Sequence, residues 1–191
     1  DTLHLINEIF FKEDDLYGLG RVNMILGYHL TLKYKITDAI KKHEQAIQFY
    51  SKLKNKRHLA RAYLEIGRCY YIEHKSDRAI NYCAKAESLF KDFNDEIGSL
   101  DYNLLMFLIY KDLLSNTKQD KELMIENALF YFDRSSKLRH KLKFSVSLTE
   151  KYTYIQVLIK AKEQVKAKEL LLYEYEKIKS KFNVNSFNFH K

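Results

Sequence analysis

The sequence contains no proline and no tryptophan, and only five glycines, two cysteines and three methionines among 191 residues. Without proline, nothing in it halts a helix sterically, and polyproline or collagen-like structures are excluded. Two cysteines, Cys69 and Cys83, are too few for a disulfide scaffold, and they show neither CxxC spacing nor a neighbouring histidine that would suggest a metal. No apolar run approaches the roughly 20 residues that span a bilayer. The longest, Leu104 to Tyr110, is far shorter, so no membrane insertion is expected. There is no signal-peptide pattern and no N-x-S/T sequon, which with the cysteine usage favours a reducing cytoplasm. The array would instead be periplasmic if its parent were a membrane-bound regulator. The chain opens on Asp1 rather than methionine, so it is expected to be an excised piece of a longer protein.

What is abundant is apolar and basic. Hydrophobic residues make up 46%, too many for intrinsic disorder, and they are scattered rather than blocked. Lysine and arginine number 33 against 25 acids, a formal charge of +8. Such a balance invites a nucleic-acid reading. The joint richness in Lys, Ile, Asn, Tyr and Phe is instead the bias of a low-GC genome. The basic clusters Lys52-Lys54-Lys56-Arg57, Arg134-Lys137-Arg139-Lys141 and Lys177-Lys179-Lys181 fall at expected helix C-termini, where cations complement the macrodipole. Nucleic acid is therefore not an expected partner of this segment.

The organisation is a repeat. Sliding the chain on itself by 40 residues aligns Leu19 with Leu59, Arg21 with Arg61, Gly27 with Gly67, Lys35 with Lys75, Ala39-Ile40 with Ala79-Ile80, and Ala46 with Ala86. Gly27 and Ala39 are twelve apart, as are Gly67 and Ala79, and an alanine follows seven later in each case. Small residues so placed let two antiparallel helices approach closely. Asp15, Asn55 and Asp95 supply N-caps on the same period. Breaks near Tyr34–Thr37, His74–Asp77 and Ser115–Asp120 separate the helices of each pair. No strand is expected, and the fold class is all-α, with about nine antiparallel helices.

Residues 63–86 carry a family pattern: Tyr63, Ile66, Gly67, Tyr70, Ala79, Cys83 and Ala86. They resemble the tetratricopeptide (TPR) repeat, an aromatic-x-x-Leu-Gly-x-x-Tyr stretch followed by Ala, an aromatic and Ala. The preceding unit fits through Leu26, Gly27, Leu30, Ala39 and Ala46, with Asn23 and His43 where larger residues are usual. In the third unit Phe107 replaces the small residue, and about nine extra residues precede Ala128. In the fourth, Ile155 and Ala167 keep the spacing without the glycine. The 40-residue period is similar to that of arrays in bacterial signalling regulators, including peptide receptors of quorum-sensing-type transcription regulators. The resemblance implies a right-handed α-α superhelix over 1–182: an orphan second helix at 1–14, pairs at 15–54, 55–94, 95–142 and 143–182, and a tail at 183–191. Leu3, Leu5, Ile6, Ile9, Phe10 and Phe11 suit a first helix that packs on something.

No catalytic constellation is present. Gly18-Leu19-Gly20 is placed at a helix–helix turn and lacks the GxGxxG or GK[ST] context of a phosphate loop. The seven histidines are scattered without HExxH or His-x-x-x-His spacing. Cys69 and Cys83 read as small buried hydrophobes that do not pair. Tyr70, Tyr82, Phe90, Phe107, Tyr110 and Phe130 are assigned to the core rather than to base stacking. No cofactor, no metal and no enzymatic activity are expected.

The functional expectation comes from the resemblance. In TPR arrays the first helix of each pair lines a concave surface. Its usual inward positions become Met24, Tyr28, Thr31 and Leu32 in the first unit, and Leu64, Arg68, Tyr71 and Ile72 in the second. Leu104, Leu108 and Lys111 follow in the third, and Tyr152, Gln156 and Lys160 in the fourth. Apolar anchors with scattered polar groups suit a peptide. The resemblance implies a non-enzymatic protein- or peptide-binding module, the sensory or scaffolding part of a bacterial regulatory protein acting in signal transduction or transcription regulation. The alternatives are the signalling-peptide receptor region of a quorum-sensing-type transcription regulator, and a homo-oligomerisation scaffold that dimerises through its end helices.

Overall fold

A computed structural model describes residues 2–116 and 120–182. Among these residues the chain is all-α, with no strand and nine helices: α1 Thr2–Lys12, α2 Leu16–Leu32, α3 Ile36–Lys52, α4 Lys56–Ile72, α5 Ser76–Asp92, α6 Glu96–Asn116, α7 Lys121–Lys141, α8 Leu148–Lys160 and α9 Gln164–Phe182. Neighbouring helices pack as antiparallel pairs into an array, α2 on α3, α4 on α5, α6 on α7 and α8 on α9. The 183–191 tail lies outside the described residues.

Side-chain caps start α2, α4, α6 and α8. Asp15 Oδ1 accepts from the Gly18 N–H at 2.9 Å, Asn55 Oδ1 from the His58 N–H at 3.3 Å, and Asp95 Oδ1 from the Gly98 N–H at 2.9 Å. Ser147 and Glu150 form a reciprocal capping box at the start of α8. Helices end by a device that uses neither proline nor glycine. Asp14, Tyr34, Lys54, His74 and Asn94 all take the left-handed conformation, with φ between 50° and 57°. The next residue in each case donates its N–H to the carbonyl five positions back, as from Asn55 to Tyr50 at 2.9 Å and from Lys75 to Tyr70 at 2.9 Å. This is the Schellman closure, which satisfies carbonyls that the last helical turn would otherwise leave open.

The small residues work at the crossings. A Cβ on Gly27 would lie 2.5 Å from the His43 ring, one on Gly67 2.8 Å from Cys83 Sγ, and one on Gly98 2.3 Å from the Phe90 ring. Ala39, Ala46, Ala79 and Ala86 are wholly buried beside them. Gly18 and Gly20 do not form a turn as expected. They sit in the first turns of α2, where Gly20 gives room to the Tyr50 ring.

Two further expectations are corrected. Phe130 is 51% exposed, because α7 turns it outward under the Arg134 guanidinium while Ala128 and Phe132 face in. Lys56 and Arg57 do not end α3 but begin α4, where Arg57 reaches towards Asp95. The extra residues of the third unit lengthen its helices: α6 and α7 have 21 residues each, against 17 in each of α2 to α5. Both cysteines are buried free thiols.

Candidate functional site

The helices α2, α4 and α6 are the first members of successive pairs. Beyond its contacts with its own partner and with α3, α4 touches both α2 and α6, so the three share one surface. Between α2 and α4 that surface opens into a cavity of about 500 Å³, lined by Tyr28, Thr31, Leu32, Tyr34, Glu65, Arg68 and Ile72.

Each wall has a local cause. Tyr28 and Leu32 are one turn apart on α2 and both are more than half exposed, so two large apolar groups face solvent side by side. Thr31, between them, faces in: its hydroxyl donates to the Gly27 carbonyl at 3.0 Å and meets Cys69 Sγ at 3.5 Å, joining α2 to α4. Burial pushes the Cys69 thiol up, against the opposing effect of that Thr31 contact. A thiol so held is a packing group rather than a nucleophile. On the α4 side Arg68 donates to Glu65 at 3.3 Å, a half-exposed i,i+3 pair that leaves the guanidinium further donors.

Beyond this cavity the surface becomes polar. The Tyr71 hydroxyl donates to Asp112 Oδ2 at 2.8 Å, tying α4 to α6, and Lys111 pairs with the same carboxylate. Burial, then the hydrogen bond and charge of Asp112, raise the Tyr71 phenol well above its ordinary value, so it stays a neutral donor. Arg61 reaches Asp95 at 3.3 Å. Burial raises the carboxyl of Asp101, on α6, from its ordinary value, and Arg68 and Arg61 oppose that rise.

The expected positions therefore divide. Tyr28, Thr31, Leu32, Arg68 and Ile72 come together around one cavity, with Met24 half-buried a turn away on α2. Tyr71 and Lys111 flank it in a polar network. Leu64, 3% exposed, belongs to the core with Phe90 and Tyr102, and Leu108 packs on the cluster around Phe107 and Phe132, while Leu104 is half-buried. Tyr152 lines a different cavity at the far end of the array, where Gln156 is exposed. Sequence reasoning missed Tyr34 and Glu65. Glu65 lies three residues before Arg68, a spacing that signals a helical ion pair, whereas Tyr34 reaches the cavity only because the left-handed turn after α2 points it there. Among the described residues no cluster of three or more His, Cys, Asp or Glu side chains could hold a metal ion, and no helix is long and apolar enough to cross a membrane.

No protein-family model and no curated protein matches the chain. Solved structures do resemble it. One is the crystal structure of BtubC (BKLC) from P. vanneervenii, which superimposes with a TM-score of 0.65 at 13% identity over 92% of this chain and 69% of that one. The likeness is one of fold: a helical, repeat-like array. At that identity it carries nothing about ligands or activity.

Proposed function

We propose that the chain is a TPR-like interaction module that binds an extended peptide or protein segment along the surface of α2, α4 and α6. The supporting observation is the α2–α4 cavity, where Tyr28, Leu32 and Tyr34 stand exposed beside a guanidinium and a carboxylate. Exposed aromatic and aliphatic anchors next to one ion pair suit a segment with an apolar side chain and a nearby polar group. The evenly spaced caps, the closures at Asp14 to Asn94 and the paired small residues at Gly27–Ala39 and Gly67–Ala79 support the TPR-like reading with its 40-residue period. By the same resemblance, the module serves as the sensory or scaffolding part of a bacterial regulatory protein. Binding would be passed on through small rotations between helix pairs.

A peptide-display selection against the immobilised chain tests this reading. Enriched peptides should share one large apolar residue, and the Tyr28→Ala/Leu32→Ala/Arg68→Ala variant should bind them at least tenfold more weakly while keeping its helical circular dichroism. These three side chains are at least partly exposed, so their truncation leaves the core intact. Equal binding by the variant, or no enrichment at all, would reject the α2–α4 cavity as the binding surface.

A further inference from the structure

Three junctions of the array stand at the same 40-residue spacing, each setting the end of one helix against the start of the next. At the first, Phe10 lies against Gly18 beside the Asp15 cap, and at the third Phe90 lies against Gly98 beside the Asp95 cap. The middle junction, between α3 and α4, has Tyr50, His58 and Asn55 at the same three positions. Ring, glycine and acid have become phenol, imidazole and amide. Arg61 reaches the Asp95 carboxylate 34 residues further on, whereas Arg21, one repeat earlier, has the amide Asn55 at that distance. Among the described residues the Arg21 guanidinium forms no ion pair, and it lies 6.0 Å from the Tyr17 ring.

The side chains at this middle junction converge. The His58 ring meets Tyr17 edge-on at 5.3 Å and lies 5.0 Å from the Tyr50 ring. Asn55 Oδ1, which caps the His58 backbone N–H, also accepts from His58 Nδ1 at 3.1 Å, so that nitrogen carries the proton. Nε2 then accepts from the Tyr17 hydroxyl at 3.3 Å, a long contact that a stronger acceptor would displace. Tyr50 is 1% exposed, and its ring lies against Gly20, on the turn that carries Tyr17 and Arg21. Its hydroxyl nevertheless finds no hydrogen-bond partner among the described residues. Burial, then Tyr17, raises that phenol to about 12 against the pull of Arg21, so it keeps its proton and stands as an unused donor. Burial first, and then Arg61, Arg21 and Arg57, lower the His58 imidazole. Arg57 and Arg61 share the Asp95 carboxylate, at 4.0 Å and 3.3 Å. Three guanidiniums thus act on His58 with one carboxylate among them, a surplus of two positive charges.

We propose that Tyr17, Arg21 and His58 bind a phosphate-type dianion between α2 and α4, over the Tyr50 hydroxyl. The Arg21 guanidinium supplies paired, charge-assisted donors. A dianion matches the surplus charge and opposes the effect of the three arginines on His58. The imidazole then takes a proton from solvent, and Nε2 changes from acceptor to donor. Tyr17, released from Nε2, turns its hydroxyl to the ion as well. Tyr17 and Arg21 are exposed, which gives the ion a path from solvent. The site lies at the opposite ends of α2 and α4 from Tyr28 and Arg68, and it is independent of peptide binding there.

Calorimetric titration of the 191-residue chain with sodium sulfate, a dianion at neutral pH, tests this. A background of about 0.15 M chloride screens diffuse attraction. Sulfate should bind at a single site. Arg21→Ala should weaken binding about tenfold, and Tyr50→Phe, which installs the ring found at the neighbouring junctions, about threefold. Lys41→Ala removes the same charge from an exposed position on α3 and should bind as the wild type does. Acetate, with a single charge, should bind about tenfold more weakly than sulfate. By proton NMR, saturating sulfate should raise the His58 pKa by about one unit and leave the exposed His29 and His74 unmoved. Inorganic phosphate and O-phosphoserine, titrated in turn, tell a free ion from a phosphate ester. Absence of sulfate binding overturns the inference, as does undiminished binding by Arg21→Ala or an equal loss in Lys41→Ala. So does acetate binding as tight as sulfate, or a His58 pKa that does not move. Arg21 is exposed, so its truncation leaves the core intact and that comparison decides the matter even if Tyr50→Phe does not fold.

Discussion

His43 sets the sharpest test of how the array is held together. Its side chain is 0% exposed and rests against Gly27, and neither ring nitrogen meets a hydrogen-bond partner. Burial alone depresses its pKa from 6.5 to about 4. The folded protein therefore keeps the imidazole neutral through a pH range in which the unfolded chain takes up a proton. Stability from this source is fully present above pH 6.5 and is lost as the pH falls from there to about 4. The gap between 6.5 and about 4 corresponds to about 3 kcal/mol once the lower value is passed, and to about 2 kcal/mol at pH 5. His43→Leu keeps a similar volume, cannot titrate and removes two unpaired polar atoms from the core. Urea unfolding followed by circular dichroism at about pH 7.5 and pH 5 gives both quantities. The variant should match or exceed the wild type by about 1 kcal/mol at the higher pH. Between the two pH values it should lose about 2 kcal/mol less than the wild type. Burial also lowers the His58 imidazole and raises the Asp101 carboxyl from their ordinary values, so the difference between the two proteins is the measured quantity. Parallel pH dependence would refute the placement of a neutral, unsatisfied His43 between α2 and α3.

Three further outcomes are expected. Gly67→Ala should destabilise by about 1–3 kcal/mol in urea despite a better helix propensity, because the new Cβ would press on Cys83 Sγ and stand 3.3 Å from the Ala79 carbonyl. Lys54→Gly should stabilise by about 0.5–1 kcal/mol, since lysine pays for the left-handed conformation there with φ at 53°; the same change at Asn94 should gain less. Arg139 donates to the Ser145 carbonyl at 2.8 Å and pairs with Glu150. Arg139→Ala should therefore cost about 2 kcal/mol and speed amide exchange in α8 and α9 before it does so in α4 or α5.

Much of this fold is legible in the sequence because its signals are local. Asp15, Asn55 and Asp95 cap as their residue types dictate, and Gly27 with Ala39, or Gly67 with Ala79, marks a close crossing before any coordinate is known. What stays hidden depends on direction. Gly18 and Gly20 look like turn residues, but the Asp15 cap starts the helix ahead of them, and the flanking Phe10 and Tyr50 rings need their missing side chains. Phe130 is as apolar as Phe132, yet a 200° step around α7 separates core from solvent. In the candidate site, the family positions include Tyr28 and Arg68, which line one cavity between α2 and α4, but they cannot tell that Leu64 is claimed by α6 or that a turn swings Tyr34 into the cavity. Turn residues escape periodic reasoning, since their orientation depends on one backbone angle rather than on spacing.

The sparse joint between α7 and α8 has a mechanical consequence. The earlier pairs meet along broad buried clusters, whereas α8 joins the rest through Val157 beside Phe107 and Phe132, through Ile155 and Leu158 against Leu129, through the Phe132 and Tyr154 rings, stacked 3.8 Å apart, and through the Arg139 strap to Ser145 and Glu150. Under tension applied along the array, that junction is the most compliant element of the spring. Stretching would swing α8 and α9 away as one lever while the span from α2 to α7 keeps its length.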